Sequence, residues 1–278
     1  MVIAVMSNKG GTGKTTTSVN LSASLAKQGF NVLLVDLDPQ GYASVSLGIP
    51  YAELSPSSAE VLFDGVKIES VIRDTAISGM DLITGGIELA NSDLILADMP
   101  DRENRLDRAL QHIRTEYDFI ILDCPPSLSL VLVNALTAAD RYIIPITPDY
   151  LALEGLITLL STVKKIKNEM GLDIELLGIL FTMVNLDRLR VRRQEFKMQL
   201  GIIKLLREHY SKDVFKTFII RDARLSETAS YGQTIFDFAP NSKVALGYMR
   251  LANEVKNLCG KTNREGIKSK NRQVSFNG

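Results

Sequence analysis

Cysteine is scarce in this 278-residue chain: Cys124 and Cys259 are the only two, and they stand far apart. That rules out a disulfide framework and gives none of the paired spacing of a zinc or iron–sulfur site. Long apolar runs are missing as well. No stretch is long enough to span a bilayer, and the apolar opening Val2–Met6 is too short for a signal peptide. Internal repeats and long linkers are absent. With 45% hydrophobic residues, the chain is expected to form one large domain with a full core in a reduced, cytoplasmic compartment. There is no net charge either, since 32 Lys+Arg face 32 Asp+Glu. The balance conceals a split. Residues 1–160 carry 10 basic and 20 acidic residues, and residues 161–278 carry 22 basic and 12 acidic. Such a split marks a polyanion-binding region unless the fold interleaves the halves, and local clustering of the basic residues favours the former.

What is present is an alternation of apolar runs and helical patterns. Val2–Met6, Val32–Val35, Phe119–Leu122, Tyr142–Ile146, Leu176–Met183 and Phe215–Ile220 read as buried strands. Lys14–Gln28, Arg102–Tyr117, Leu128–Ala138, Leu151–Glu169, Asp187–Tyr210 and Asn241–Leu258 read as helices. This order predicts an α/β fold: a single domain, residues 1–260, with a mainly parallel sheet and helices on both faces. The polar, basic segment 261–278 is expected to be a disordered tail.

The densest signal is Lys9-Gly10-Gly11-Thr12-Gly13-Lys14-Thr15-Thr16, set between the first strand and the first helix. Glycines let a backbone bend around an anion and turn several N–H groups toward it. The helix that follows points the positive end of its dipole at the same place. In such a phosphate loop Lys14 reaches the β- and γ-phosphates and the Thr15 hydroxyl ligands Mg²⁺. Asp36-Leu37-Asp38-Pro39-Gln40-Gly41 follows the second strand, so its carboxylates lie at the mouth of the sheet, where ligands bind. Phe119–Asp123 is an apolar strand ending in an acid, a Walker B pattern in which Asp123 holds Mg²⁺ through water. Cys124 is expected to be a small buried residue beside it.

Two details give a resemblance. Asn8 stands where the common loop opens with glycine, and a second lysine, Lys9, starts the loop. This resembles the deviant Walker A motif of the ParA/MinD family of ATPases. Asp36–Gln40 is similar to the family's D-x-D-P-Q, and Asp123–Pro126 to its D-x-P-P. Segments 134–140, 152–156 and 224–232 look ParA-like too, with Ile220 where the family's P-R-x-x-R-L-S-E segment has proline. With no DNA-reading domain ahead of the loop, the chain resembles the short, Soj-like form.

The resemblance implies a P-loop fold that hydrolyses ATP slowly, with ATP and Mg²⁺ as cofactors. It implies that Lys9 crosses a homodimer interface to the partner's nucleotide, that Asp38 positions the attacking water and that Asp36 supports the metal. Asn185, after the strand ending near Met183, either recognises adenine or caps the next helix.

The basic residues cluster at Arg188, Arg190, Arg192 and Arg193, with Arg221 and Arg224 in an expected loop. Leu189, Phe196, Leu200 and Ile203 share one face of the expected helix, flanked by Arg192, Arg193, Lys197 and Lys204. In short ParA-type proteins such segments bind nonspecific DNA as the ATP dimer. That implies DNA contacts from Arg188, Arg192, Arg193, Arg221 and Arg224, a ParB-like activator and association with the nucleoid. The blander alternative is a solvated basic face paired with Asp187 or Glu195. A MinD-like membrane-associated ATPase is the second functional reading. It needs a C-terminal amphipathic helix, and segment 261–278 offers only Ile267, Val274 and Phe276 as sizeable apolar residues, so no membrane is expected.

Overall fold

A computed structural model describes the backbone of residues 1–186 and 193–274, and the side chains of residues 1–186 and 196–260. Among the described residues seven strands run in chain order as β1 (Val2–Val5), β2 (Val32–Asp36), β3 (Ile72–Asp74), β4 (Met80–Ile83), β5 (Phe119–Asp123), β6 (Arg141–Ile146) and β7 (Glu175–Phe181). The helices are α1 (Lys14–Ala26), α2 (Tyr42–Ser46), α3 (Ser58–Phe63), α4 (Ser92–Leu96), α5 (Arg105–Gln111), α6 (Leu130–Ala138), α7 (Tyr150–Met170), α8 (Arg193–His209), α9 (Arg224–Ser230), α10 (Ile235–Phe238) and α11 (Lys243–Val274).

The strands form one sheet in the order β3-β4-β2-β5-β1-β6-β7. All pairings are parallel except β3 with β4. Burial on both faces explains why the strands are continuous apolar runs. Side chains alternate across the sheet. Val2, Ala4, Leu33, Val35, Ile120 and Leu122 face a core completed by α3 and α5–α8. Ile3, Val5, Val32, Leu34 and Ile121 face a second core completed by α1, α10 and α11. The α/β expectation is met: a mostly parallel sheet with helices on both faces.

The differences from the sequence reading have local causes. β3 and β4 escaped it because they are short and mostly broken by charge. Asp81, inside β4, is accommodated by the Tyr117 hydroxyl at 2.7 Å. Segment 215–220, read from the sequence as a strand, makes scattered backbone bonds to β7, Phe215 N–H to the Ile179 carbonyl and Ile219 N–H to the Phe181 carbonyl, with isolated bridges at Val214 and Ile220 rather than a ladder. The Lys216 and Thr217 N–H groups go instead to the Glu254 carboxylate of α11, at 3.0 and 2.9 Å. A ladder cannot continue where its donors are taken by a side chain.

The expected apolar face of α8 is also rotated. Ile202 and Leu206 are buried, Phe196 and Ile203 are half-buried, and Leu200 is 50% exposed. Leu189 lies outside the described residues. Finally, α11 carries its helical backbone past the expected helix end at Leu258 to Val274. Once begun, a helix extends at one hydrogen bond per residue, and no proline interrupts this stretch.

Candidate nucleotide site

The C-terminal ends of three adjacent strands, β2, β5 and β1, carry the residues singled out above. Gly11 (φ 75°) and Gly13 (φ 82°) take left-handed backbone angles that side chains rarely adopt. Gly13 caps α1 without any side-chain bond to the first-turn N–H groups. Those donors are therefore open to an anion. Lys14 and Thr12 are buried beneath the loop.

Two long-range bonds brace the loop. Asn8 Nδ2 donates to the Gly155 carbonyl at 2.9 Å, which gives the departure from glycine at this position a structural purpose. The Thr182 hydroxyl donates to the Thr12 carbonyl at 2.7 Å. Lys9 lies at the rim, its Nζ 3.3 Å from Asp149 Oδ1, with side chains 43% and 37% exposed. Asp149 also caps α7 by accepting from the Ala152 N–H.

Asp36 and Asp123 are paired in register across β2 and β5, and both are fully buried. Burial pushes both carboxyls well above the usual range. For Asp36, the Ser44 hydroxyl and N–H and the Asp38 N–H oppose the rise. For Asp123, the charge of Asp36 adds to it, and the Ser18 and Thr15 hydroxyls and the Lys14 charge oppose it. Ser18 donates to Asp123 Oδ1 at 2.8 Å, while Oδ2 is buried and has no hydrogen-bond partner among the described residues. Asp38 is nearly buried, and its Oδ1 accepts from the Gln40 N–H at 2.9 Å.

The oxygen donors here, the unpartnered Asp123 Oδ2 and the Thr15 hydroxyl, suit a hard divalent cation, and Lys14 suits adjacent phosphates. No cluster of three or more His, Cys, Asp or Glu gathers as a metal cage among the described residues. Mg²⁺ keeps most of its waters and takes few protein ligands. Cys124 is buried beside Asp123. Burial, first, and the Asp123 charge push its thiol far up, so it is inert.

The fold thus brings together the Lys9–Thr16 loop with Asp36, Asp38 and Asp123. Asn185 lies beyond β7, and its N–H is 3.3 Å from Gln199 Oε1 of α8. Arg188 and Arg192 lie outside the described residues, and Arg193 is described in backbone only. Arg221 is exposed. Arg224 is not in a loop, as the sequence suggested, but opens α9 and is tied to Asp222 at 2.6 Å. The i, i+2 geometry of an Asp before a helix start favours that closure.

Sequence reasoning missed Ser18, Ser44, Gly85, Asp149 and Thr182. Only Ser18 had a sequence signal, one helical turn after Lys14 on the same face.

Comparison with known proteins follows the same lines. A family described as an AAA domain matches residues 1–176. The sporulation initiation inhibitor protein Soj of Bacillus subtilis is 41% identical over 254 residues, covering 91% of this chain and 97% of that protein. The chromosome partitioning protein ParA of Myxococcus xanthus is 37% identical, covering 91% and 87%. Among solved structures, cobyrinic acid a,c-diamide synthase from Mycobacterium smegmatis with bound ATP analog and magnesium superposes with a TM-score of 0.78. It is 32% identical and covers 91% of this chain and 92% of that one. Loop, acids, strand order and these likenesses converge: the chain belongs to the ParA/MinD family of P-loop ATPases, close to its Soj-like members.

Proposed function

We propose that this chain is a ParA-like positioning ATPase that binds ATP with Mg²⁺, closes into an ATP-sandwich homodimer, and in that state binds DNA without sequence preference. Hydrolysis, slow alone and stimulated by a ParB-like partner, releases the DNA, and the cycle distributes a cargo over the nucleoid. Phosphoryl transfer needs positioning and charge neutralisation more than covalent chemistry. Bound Mg²⁺ supplies neutralisation at the β- and γ-phosphates. Gly10 to Thr16 cradle the phosphates, Lys14 neutralises them, and Thr15 and Asp123 hold the metal, with Asp36 beside them. Asp38, its carboxylate oriented by the Gln40 N–H, holds the attacking water. Asn185 is assigned to the adenine.

The observation that carries the dimer reading is the Lys9–Asp149 pair at the rim of the site. An ion pair this exposed is worth at most about 1 kcal/mol, so Lys9 exchanges it readily for a phosphate across an interface. ATP then selects the dimer, and the dimer joins two basic surfaces into one. Arg221, Lys216, Lys243 and Arg250 are exposed and form no salt bridge among the described residues. Arg188, Arg192 and Arg193, expected from the sequence to contact DNA, are assigned to the same role. No helix among the described residues is long and apolar enough to cross a membrane, and nothing specific favours the MinD-like alternative.

The test is binding of an arbitrary duplex with ATP, with ADP and without nucleotide, at two salt concentrations. Salt-sensitive binding with ATP alone, lost in Lys9→Ala and Lys14→Ala, is the expected result. Nucleotide-independent binding, or none at all, would sink the scheme.

A further inference from the structure

The Asp36 carboxylate is held by three donors. The Ser44 hydroxyl and the Ser44 N–H both reach Oδ2, at 2.7 and 3.0 Å, and the Asp38 N–H reaches Oδ1 at 3.1 Å. A further group fixes the direction of the hydroxyl bond. The Gly85 N–H donates to Ser44 Oγ at 3.1 Å. With that acceptor site filled from the glycine, the single hydroxyl proton goes to Asp36.

Gly85 leaves no spare room. A Cβ there would lie 2.6 Å from the Asp38 carbonyl oxygen and 2.8 Å from Asp36 Cγ. The backbone after β4 therefore lies directly against both acids, and Ser44 is pinned between it and Asp36. Ser44, like Asp36, has no solvent exposure, so water has no open route to replace a missing hydroxyl. Gly85 N–H, Ser44 Oγ, Asp36 and Asp38 N–H form one continuous chain of bonds. The Asp38 end carries the acid assigned to the attacking water.

We infer that Ser44 is a positioning residue for the hydrolytic site: its hydroxyl, aimed by Gly85, holds the Asp36 carboxylate in one orientation and, through the Asp36–Asp38 bond, fixes the main chain that carries Asp38. The inference rests on the reading of Asp36 as a metal-supporting acid and Asp38 as the water-positioning acid. Outer partners that orient ligating carboxylates typically matter about 10–100-fold in metal affinity or activity, and Ser44 stands in that relation to Asp36.

The experiment compares the full chain with Ser44→Ala, Ser44→Thr and, as a control on the underlying reading, Asp38→Ala. A fluorescent ATP analogue is titrated in EDTA and in Mg²⁺, and the Mg²⁺ concentration for half-maximal ATP turnover is measured. Ser44→Ala is expected to bind the analogue in EDTA like wild type and to need about 10–100-fold more Mg²⁺. Ser44→Thr, which keeps a hydroxyl, is expected to restore the wild-type requirement. Unchanged Mg²⁺ dependence in Ser44→Ala would overturn the inference. So would an equal loss of binding in EDTA and Mg²⁺, or a Ser44→Thr variant as impaired as Ser44→Ala, since each marks a merely structural role. Wild-type turnover by Asp38→Ala would instead overturn the assignment of Asp38. An inactive Asp38→Ala beside a wild-type-like Ser44→Ala would remove only Ser44.

Discussion

Asp36 and Asp123 end neighbouring parallel strands in register, β2 against β5, with both carboxylates fully buried. Their pairing makes the nucleotide-free site sensitive to pH. Burial raises both groups from the ordinary 3.8, Asp36 to about 6 and Asp123 to about 7. A folded-state pKa above the unfolded one means that the folded chain holds extra protons between the two values. Stability then falls as pH rises from about 4 to about 7. The nucleotide-free chain is accordingly expected to show a lower Tm at pH 7.5 than at pH 5.5, and Asp123→Asn is expected to flatten that slope. Differential scanning calorimetry at several pH values checks both. A Tm that rises over this interval and is insensitive to Asp123→Asn would contradict the assignment.

The Thr182–Thr12 bond ties the end of β7 to the phosphate loop across 170 positions of sequence. Thr182→Val keeps the shape and deletes the donor to a buried carbonyl. A loss of about 1–3 kcal/mol is expected, with weaker nucleotide binding because the loop keeps only one of its two long-range braces, Asn8 to Gly155. Urea unfolding and an equilibrium nucleotide titration measure the two effects.

Gly13 combines φ 82° with ordinary contact distance, 3.7 Å, between an added Cβ and the Thr182 side chain. Gly13→Ala therefore meets conformational strain rather than a clash. Left-handed backbone costs an L-residue about 1–2 kcal/mol. That loss is expected in chemical denaturation, together with failure to bind nucleotide as the loop relaxes away from the anion-binding conformation.

Arg221 and Arg224 are expected to differ in DNA binding even though sequence placed them together. Both are exposed, but Arg221 forms no salt bridge among the described residues, whereas Arg224 makes paired contacts at 2.9 and 2.6 Å to Asp222, whose own side chain is largely buried. Arg221→Ala should weaken ATP-dependent DNA binding and lower the log–log salt slope by about 1. Arg224→Ala should leave that slope near the wild-type value. Fluorescence anisotropy over a salt series distinguishes them, and equal slopes for the two variants would show that the Asp222 contact is given up on binding.

How far the sequence could be read depended on the range of the interaction. The loop from Lys9 to Thr16 was legible because its chemistry is local: left-handed glycines, then a helix whose first N–H groups are free. The acids at 36, 38 and 123 were legible because each follows a buried apolar strand, and the end of a parallel strand is the mouth of the sheet. Segment 215–220 misled because its apolar pattern is that of a strand, while Glu254, outside any local window, takes its donors. Arg224 was expected in a loop and instead opens α9, because the carboxylate of Asp222 closes onto its N–H and guanidinium at the helix start.

By itself, then, the sequence determined the fold class, the glycine-rich turn between β1 and α1 and the placing of acids at strand ends, since these follow from backbone conformation and from short-range patterns of burial. Tertiary structure alone decided which groups act on one another. Strand order sets β2 beside β5 and so sets Asp36 against Asp123. The packing of the loop after β4 aims Ser44 at Asp36, and the start of α7 brings Asp149 to Lys9 across 140 residues. Such contacts join segments remote in sequence, and their geometry exists only once the sheet has formed and excluded water from between them.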